Sequence, residues 1–395
     1  MNNRKRLPLI IIGLLFLWYI FNPFAFISHI FHTSTVRSYP PPHPYSSKHT
    51  IETQLKSIYP RIQDANYLKQ LGVRNLIASV KTPGYDEPEL KSLNILDDED
   101  TSVQKAKEDE QNEKDPLLKA KNYFKNQDKI VYRPKSLDNY PEVVIVTVVD
   151  FNKYSEGGLV KIVQNRVDYA HYQKCGLYVR WAQEFIPQLG SLAALEDDQK
   201  SKWVRLFCLR AAMFAFPHAQ WFWYLDENGL IMDMSRNIQQ ILLNPEALEK
   251  QMLRDQPLIP PDGLIKTYKS TKAKSIKLIA AQLDTMIETG SFFVKNDAFG
   301  KALVDIWSDK LYLNYKSFPY ETDSALTHIL QWHPLVLSKT ALVPAKAICA
   351  PHSSKDSKNT YQDGDFVASW SSCKTNEECE SILNIYQNKL TESKP

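Results

Sequence analysis

The chain opens with an apolar run, Leu7 to Phe31, that contains no Asp, Glu, Lys or Arg. Only Pro8, Asn22, Pro23, Ser28 and His29 interrupt it. A helix across a bilayer takes about 20 mostly apolar residues, so the run is long enough. Arg4, Lys5 and Arg6 precede it, whereas only His29 and His32 stand at its far side, an asymmetry that keeps the N-terminus cytosolic. The competing reading is a cleaved signal peptide, with an apolar stretch of about 7–15 residues ending in small side chains. Here the run is longer and ends in the bulky Ile30 and Phe31. The pattern predicts a cytosolic tail at 1–6, a transmembrane signal anchor at 7–31, and a type II chain lumenal beyond it.

The apolar pattern then fades. Residues 33–60 carry Ser, Thr, His and the cluster Pro40, Pro41, Pro42 and Pro44, which reads as an extended stem. From Asp97 to Asp115 the chain is dense in Asp, Glu and Lys, a solvated linker. Residues 32–115 are therefore predicted as stem and linker, although 58–95 hold enough apolar residues to pack on a folded domain. That domain is expected over 116–395.

Within it the period alternates between strand and helix. Glu142 to Asp150 is a β-branched apolar run ending in an acid, as a strand buried on both faces requires. Leu159 to His171 has helical spacing; Leu177 to Trp181 reads as a strand; Lys202 to Phe216 is a helix stopped by Pro217. Gln220 to Leu225 is again a strand, with Asp226 at its end. Strand, helix, strand, helix, strand predicts an α/β domain with a doubly wound sheet. Ligands of such sheets bind beyond the carboxyl ends of the strands, where Asp150 and Asp226 both fall.

Composition narrows the functional class. With 48 basic and 45 acidic residues the net charge is +3, and no basic stripe or nucleic-acid motif is present, so no nucleic-acid partner is expected. Walker, Gly-x-Gly-x-x-Gly and Gly-x-Ser-x-Gly patterns are missing as well. His328 and His333 are five apart, not the four that a zinc helix needs. Five cysteines make no disulfide scaffold, but Cys373 and Cys379 are expected to be joined if the domain is lumenal, with two free thiols as the alternative. The aromatic run Trp221-Phe222-Trp223-Tyr224 reads as core. What remains is the turn Asp226-Glu227-Asn228 at the tip of that strand. Oxygen ligands one residue apart on a tight turn suit a hard cation bridging a diphosphate, although a solvated strand-end turn has the same composition.

Several ordered segments resemble the fungal and plant α-glycosyltransferases of family 34, the galactosyl- and mannosyltransferase group. They are Asn165-Arg166-Val167-Asp168-Tyr169-Ala170, the stretch from Lys202-Trp203-Val204-Arg205 to Asp226, Thr289-Gly290-Ser291-Phe292-Phe293-Val294-Lys295-Asn296, and Gly364-Asp365-Phe366 near Cys373. Arg210-Ala211-Ala212-Met213 and His328 to Pro334 place the chain near the mannosyltransferase subunits of yeast Golgi mannan-polymerase complexes. The resemblance runs from about Tyr132 to Cys379.

It implies a GT-A-like fold with flanking helices, retaining transfer of mannose, in α-1,6 linkage, from GDP-mannose to mannan or N-glycan outer chains, Mn²⁺, Golgi membrane location and partner subunits. Carried over position by position, Asp226 and Asn228 take the metal site. Asp323 and then Glu321 are the candidates for stabilising the oxocarbenium-like centre. A cap on a helix starting at Ser324 is the other role for Asp323. Gly290 and Ser291 would let the backbone approach the sugar, and Asp150, Asn165 and Arg166 would take base or ribose. The chain departs from the family pattern twice. Asn228 stands where the family has the second Asp of Asp-x-Asp, and Ser369 stands where it has a metal-binding His. Two alternatives follow: a non-catalytic or weakly active structural subunit, and a UDP-galactose-dependent α-galactosyltransferase.

Overall fold

The computed structural model describes residues 50–71, 77–80, 89–92, 124, 130–185, 189, 197–315, 317–354 and 359–392. The anchor at 7–31 and most of the stem lie outside them, and no helix of the described residues is long and apolar enough to cross a membrane.

A seven-stranded mixed sheet organises the domain. Its strands in chain order are β1 (Ser57–Ile58), β2 (Val143–Val149), β3 (Gly176–Trp181), β4 (Trp221–Leu225), then, after the short strand β5 (Gly229–Ile231) of a second sheet, β6 (Leu278–Gln282), β7 (Ile287–Lys295) and β8 (Thr340–Pro344). In space they run β8-β6-β7-β4-β2-β3-β1. The half built from β1, β3, β2 and β4 is parallel, while β7 is antiparallel to both β4 and β6.

The predicted winding is present. Helix α1 (Glu156–Tyr172) joins β2 to β3, and α2 (Asp197–Ala215) joins β3 to β4. Every residue of β2 is buried, because each face has its own core. Val143, Ile145 and Val149 point to the core that holds Leu159 and Ile162 of α1. Val144, Val146 and Val148 point to the core that holds Trp203, Val204 and Leu206 of α2. Fully burying one such side chain contributes roughly 1.5–3 kcal/mol, so the alternation fixes the register of the strand. The two cores also absorb Phe222, Trp223 and Tyr224, as expected of the aromatic run.

Three further helices matter to the site: α3 (Ala298–Trp307), α4 (Glu321–Trp332) and α5 (Asn376–Glu392). A small sheet of β9 (Ala350–Pro351), β10 (Val367–Ser369) and β5 lies beyond the end of β4, with Ser369 opposite Gly229. Cys373 and Cys379 are joined at the start of α5. The folded unit also reaches back into the predicted stem: β1 extends the sheet edge, and Ile62, Ala65 and Leu68 enter the core.

Candidate functional site

Strands β2 and β4 lie side by side and end together, pinned by the Thr147 hydroxyl, which donates to the Leu225 carbonyl at 2.8 Å. Past that point the sheet delivers Asp150 and the turn Asp226-Glu227-Asn228, as the two strand-end acids predict. The turn is held from inside. Arg166 on α1 donates to the Asp226 carbonyl at 2.8 Å, the Gly229 carbonyl at 2.5 Å and Asn165 Oδ1 at 2.9 Å. Asn165 brackets Ile231, donating to its carbonyl at 2.9 Å and accepting from its N–H at 3.0 Å. Both residues are buried, Arg166 completely. Their expected contact with base or ribose is therefore corrected: they satisfy backbone carbonyls that the tight turn leaves without ladder partners. Burial pulls the Arg166 guanidinium down to about 10, against the opposing pull of Asp226.

The carboxylate of Asp226 points the other way. Its Oδ2 accepts from Arg205 on α2 and from the Tyr224 hydroxyl, both at 3.2 Å, and its Oδ1 accepts from the Asn228 N–H at 3.1 Å. Arg205 also donates to the Thr289 hydroxyl at 2.8 Å, and that hydroxyl donates to Asp323 in the first turn of α4. The Thr289 N–H donates to the same Asp323 oxygen at 3.0 Å. A chain of charge and hydrogen bonds thus runs Asp226, Arg205, Thr289, Asp323. Helix α4 begins at Glu321, not Ser324, so Asp323 is no cap. Its side chain docks on β7 instead, while Trp307 of α3 donates to the Thr322 carbonyl at 3.0 Å and fixes the helix start. Glu321 is separated from this chain, since its carboxylate pairs with Lys202 at 2.7 Å.

Glu288 completes the buried charge. Its Oε1 accepts from the Gly290 N–H at 2.6 Å and its Oε2 from the Ser371 hydroxyl at 3.0 Å. Gly290 is where the chain needs no side chain, because a Cβ there would come within 2.8 Å of Glu288 Oε1. Ser291 faces the opposite way, into the core, where it accepts from Trp223 Nε1 at 2.9 Å. Its hydroxyl is committed to the core, so the expected sugar approach falls to Gly290 and not to Ser291. Burial, and then the charge of Glu288, push the Asp323 carboxyl up to about 7. Burial pushes Asp226 up too, but Arg205 and then Lys153 outweigh it and hold the carboxylate below its ordinary range.

On the other side of the turn, Glu227 accepts from the Asp150 N–H at 2.7 Å and lies 3.5 Å from Lys153. Burial pushes its carboxyl up to about 8. The Asp150 Oδ1 accepts from Gln183 at 2.6 Å and from the Asn152 N–H at 2.7 Å.

A hard cation requires oxygen donors with lone pairs to spare. Asp226 meets the requirement. Asn228 is held inward: its amide oxygen accepts from the Tyr154 hydroxyl at 2.7 Å, itself held by Trp370 Nε1 at 2.9 Å, which leaves one lone pair for the expected ligand role. Ser369 is buried in β10. Among the described residues no three His, Cys, Asp or Glu side chains stand together as a metal cage. The donor set fits a cation that is shared with a bound diphosphate, in the manner of sites built from one or two carboxylates plus substrate phosphates, and does not fit a self-sufficient metal centre.

Arg205 and Glu288 were not singled out by the sequence pattern. Arg205 looks like one more charge on an amphipathic helix, and Glu288 like a strand-end acid. A polar residue inside otherwise apolar helix or strand periodicity was the only local signal for either.

Residues 139–380 match the galactosyl transferase GMA12/MNN10 family. A probable alpha-1,6-mannosyltransferase of Saccharomyces cerevisiae, MNN11, is 34% identical, covering 97% of this chain and 91% of its own. An alpha-1,2-galactosyltransferase of Schizosaccharomyces pombe is 28% identical over 65% of this chain and 70% of its own. Among solved structures, a glycosyltransferase involved in glycosylation of the major capsid of PBCV-1 aligns with 62% of this chain and 100% of its own, at 12% identity and a TM-score of 0.41.

Proposed function

Because the chain belongs to the galactosyl transferase GMA12/MNN10 family, we propose that this hexosyltransferase moves mannose from GDP-mannose, with retention and in α-1,6 linkage, onto mannan or N-glycan outer chains. The observation that carries the reading is the buried chain Asp226–Arg205–Thr289–Asp323 at the carboxyl ends of β2 and β4. Asp226 and Arg205 lie where a doubly wound sheet, here assigned to the GT-A class, receives a nucleotide diphosphate. Arg205 presents fixed positive charge to a leaving diphosphate, and its ion pair with Asp226 keeps the guanidinium aimed there without reorganisation. Asp150, steered by Gln183, is the group assigned to the nucleoside. Asp323 is assigned to the positive charge that develops at the anomeric carbon. Asp226 would hold Mn²⁺, which would supply further neutralisation of the leaving group. Residues 7–31, read as a signal anchor, support a membrane location with the domain lumenal; the Golgi as compartment and partner subunits beside the chain belong to the same proposal.

The test uses the detergent-solubilised full chain with GDP-mannose, Mn²⁺ and a mannobiose acceptor. Wild type is expected to form product, and Asp226→Ala to lose roughly 10²–10³-fold in turnover. No product from wild type overturns the reading. The commitment of Asn228 to Tyr154 favours one rival, a structural subunit that supports a catalytic partner. An Asp226→Ala strain with normal mannan, set against a deletion strain that lacks it, decides for the rival. A thermal-shift titration comparing GDP-mannose with UDP-galactose separates the two donors, since the bound one raises apparent stability.

A further inference from the structure

Glu288 has no role in the scheme so far, yet it is a buried acid placed among other acids. It is 5% exposed and lies in the field of Asp226 and Arg205, so three acids, Asp226, Asp323 and Glu288, are gathered about one guanidinium. A buried acid set against other acids destabilises a fold, and such violations of packing rules collect at functional positions. The Gly290 N–H does not demand an acid here. An amide oxygen would accept from the Gly290 N–H equally well.

The backbone around Glu288 is shaped to present it. The pairing of β6 with β7 slips between Ala280, opposite Phe292, and Ala281, opposite Glu288, leaving Thr289, Gly290 and Ser291 as a bulge. Bulges re-aim side chains beside sites. Across the bulge, Gly290 gives its carbonyl to the Asp226 N–H at 2.7 Å and its N–H to Glu288 at 2.6 Å, tying the two acids to one residue. A Cβ at Gly290 would stand 2.8 Å from Glu288 Oε1 and 3.8 Å from Asp226 Cβ. The glycine therefore keeps clear the space that separates them. Ser371 holds the second carboxylate oxygen from the segment that follows β10, leaving each oxygen with a lone pair unused.

Resting on the reading under Proposed function, we propose that Glu288 is a sugar-contacting residue that accepts hydrogen bonds from hydroxyls of the transferred hexose, positioned by Gly290 and Ser371. Carboxylates accept short, strong bonds from hydroxyls, and a fixed carboxylate rejects a sugar that cannot supply them. The nucleoside diphosphate part of the donor makes no use of Glu288.

The test measures binding of GDP and of GDP-mannose separately, by titration calorimetry, to the solubilised full chain and to Glu288→Gln. The amide keeps the size of the side chain and an acceptor for Gly290, so a residue that only props the bulge would not notice the change. The expected result is GDP affinity within about twofold of wild type and GDP-mannose affinity reduced about tenfold or more, the scale of a lost hydrogen bond to a charged group. Equal losses for both ligands, or no loss for either, overturn the proposal. If Glu288→Gln does not fold, Ser371→Ala takes its place, since it frees the carboxylate without removing it. A selective loss of GDP-mannose affinity then supports the proposal, and unchanged binding of both ligands overturns it. Wild type that binds neither GDP nor GDP-mannose refutes the function proposed above and is recognisable as that, because it appears before any substitution is made.

Discussion

Two arginines are buried on opposite sides of the same acidic turn, and their partners differ in kind. Arg166 spends its donors on two backbone carbonyls and one amide oxygen. Arg205 spends its donors on a carboxylate and a hydroxyl that leads to a second carboxylate. The electrostatics follow. Burial pulls Arg166 down to about 10, whereas for Arg205 burial is outweighed by Tyr224, Asp226, Asp323 and Glu288, which raise it. A buried guanidinium that meets only carbonyl dipoles shapes a turn. One that meets ionisable oxygens sets the charge of a site.

The largest effect expected from this contrast is on turnover. Arg205→Met should lower transfer from GDP-mannose by roughly 10²–10³-fold, the usual cost of removing a preorganised charge at a reacting centre. Arg205→Lys should recover only part, because an ammonium lacks the fork that reaches Asp226 and Thr289 together. Steady-state product formation per folded molecule checks both, and an active Arg205→Met would erase the distinction between the two arginines.

Arg166→Met comes next, and its effect belongs to stability. Leaving the Asp226 and Gly229 carbonyls unpaired should cost about 3 kcal/mol. That corresponds to a fall in Tm on the order of 10 °C for a domain of this size. Turnover per folded molecule should hold. Circular dichroism melts beside activity on the soluble fraction measure it, and lost turnover at unchanged Tm would contradict the assignment.

Asp323 sharpens the comparison through pH. Burial and the neighbouring Glu288 push its carboxyl up to about 7 from an ordinary 3.8. The folded protein therefore keeps a proton that the unfolded chain has released, so this group's contribution is present below the ordinary range and is lost as pH rises through about 7. Asp323→Asn should lose transfer activity and gain in Tm relative to wild type between pH 4 and pH 8. A gap in Tm that stays constant with pH would mean that Asp323 does not titrate against the cluster.

The smallest effect is expected at Glu321. Its pairing with Lys202, itself 47% exposed, should be worth about 0.5 kcal/mol or less. Glu321→Gln should leave turnover intact, and a loss comparable to that of Asp323→Asn would return Glu321 to the site.

Much of the fold could be read along the chain. Strands β2, β3 and β4 and helices α1 and α2 lie within a few residues of the segments that periodicity predicts, because alternating burial on two faces leaves its period in the sequence. Asp150 and Asp226 were legible for a related reason, as acids that end apolar strands. The site was less legible. Asn165, Arg166 and Ser291 sit in segments shared with the family, but a shared segment does not say whether a polar side chain faces a ligand or a carbonyl. Asn228 kept a ligand's chemistry, and its orientation was set by Tyr154, 74 positions away.

The sequence by itself determined the alternation of strand and helix, the acids at the strand ends and the family. These depend on near neighbours in the chain and on side-chain type. Only the tertiary structure decided that Arg205, not Arg166, meets the Asp226 carboxylate, that Asp323 docks on Thr289, and that Glu288 stands behind Gly290. The first two join residues of different elements, and the third depends on the bulge in the pairing of β6 with β7. Their energies depend on distance and burial, and neither quantity is written in the order of residues.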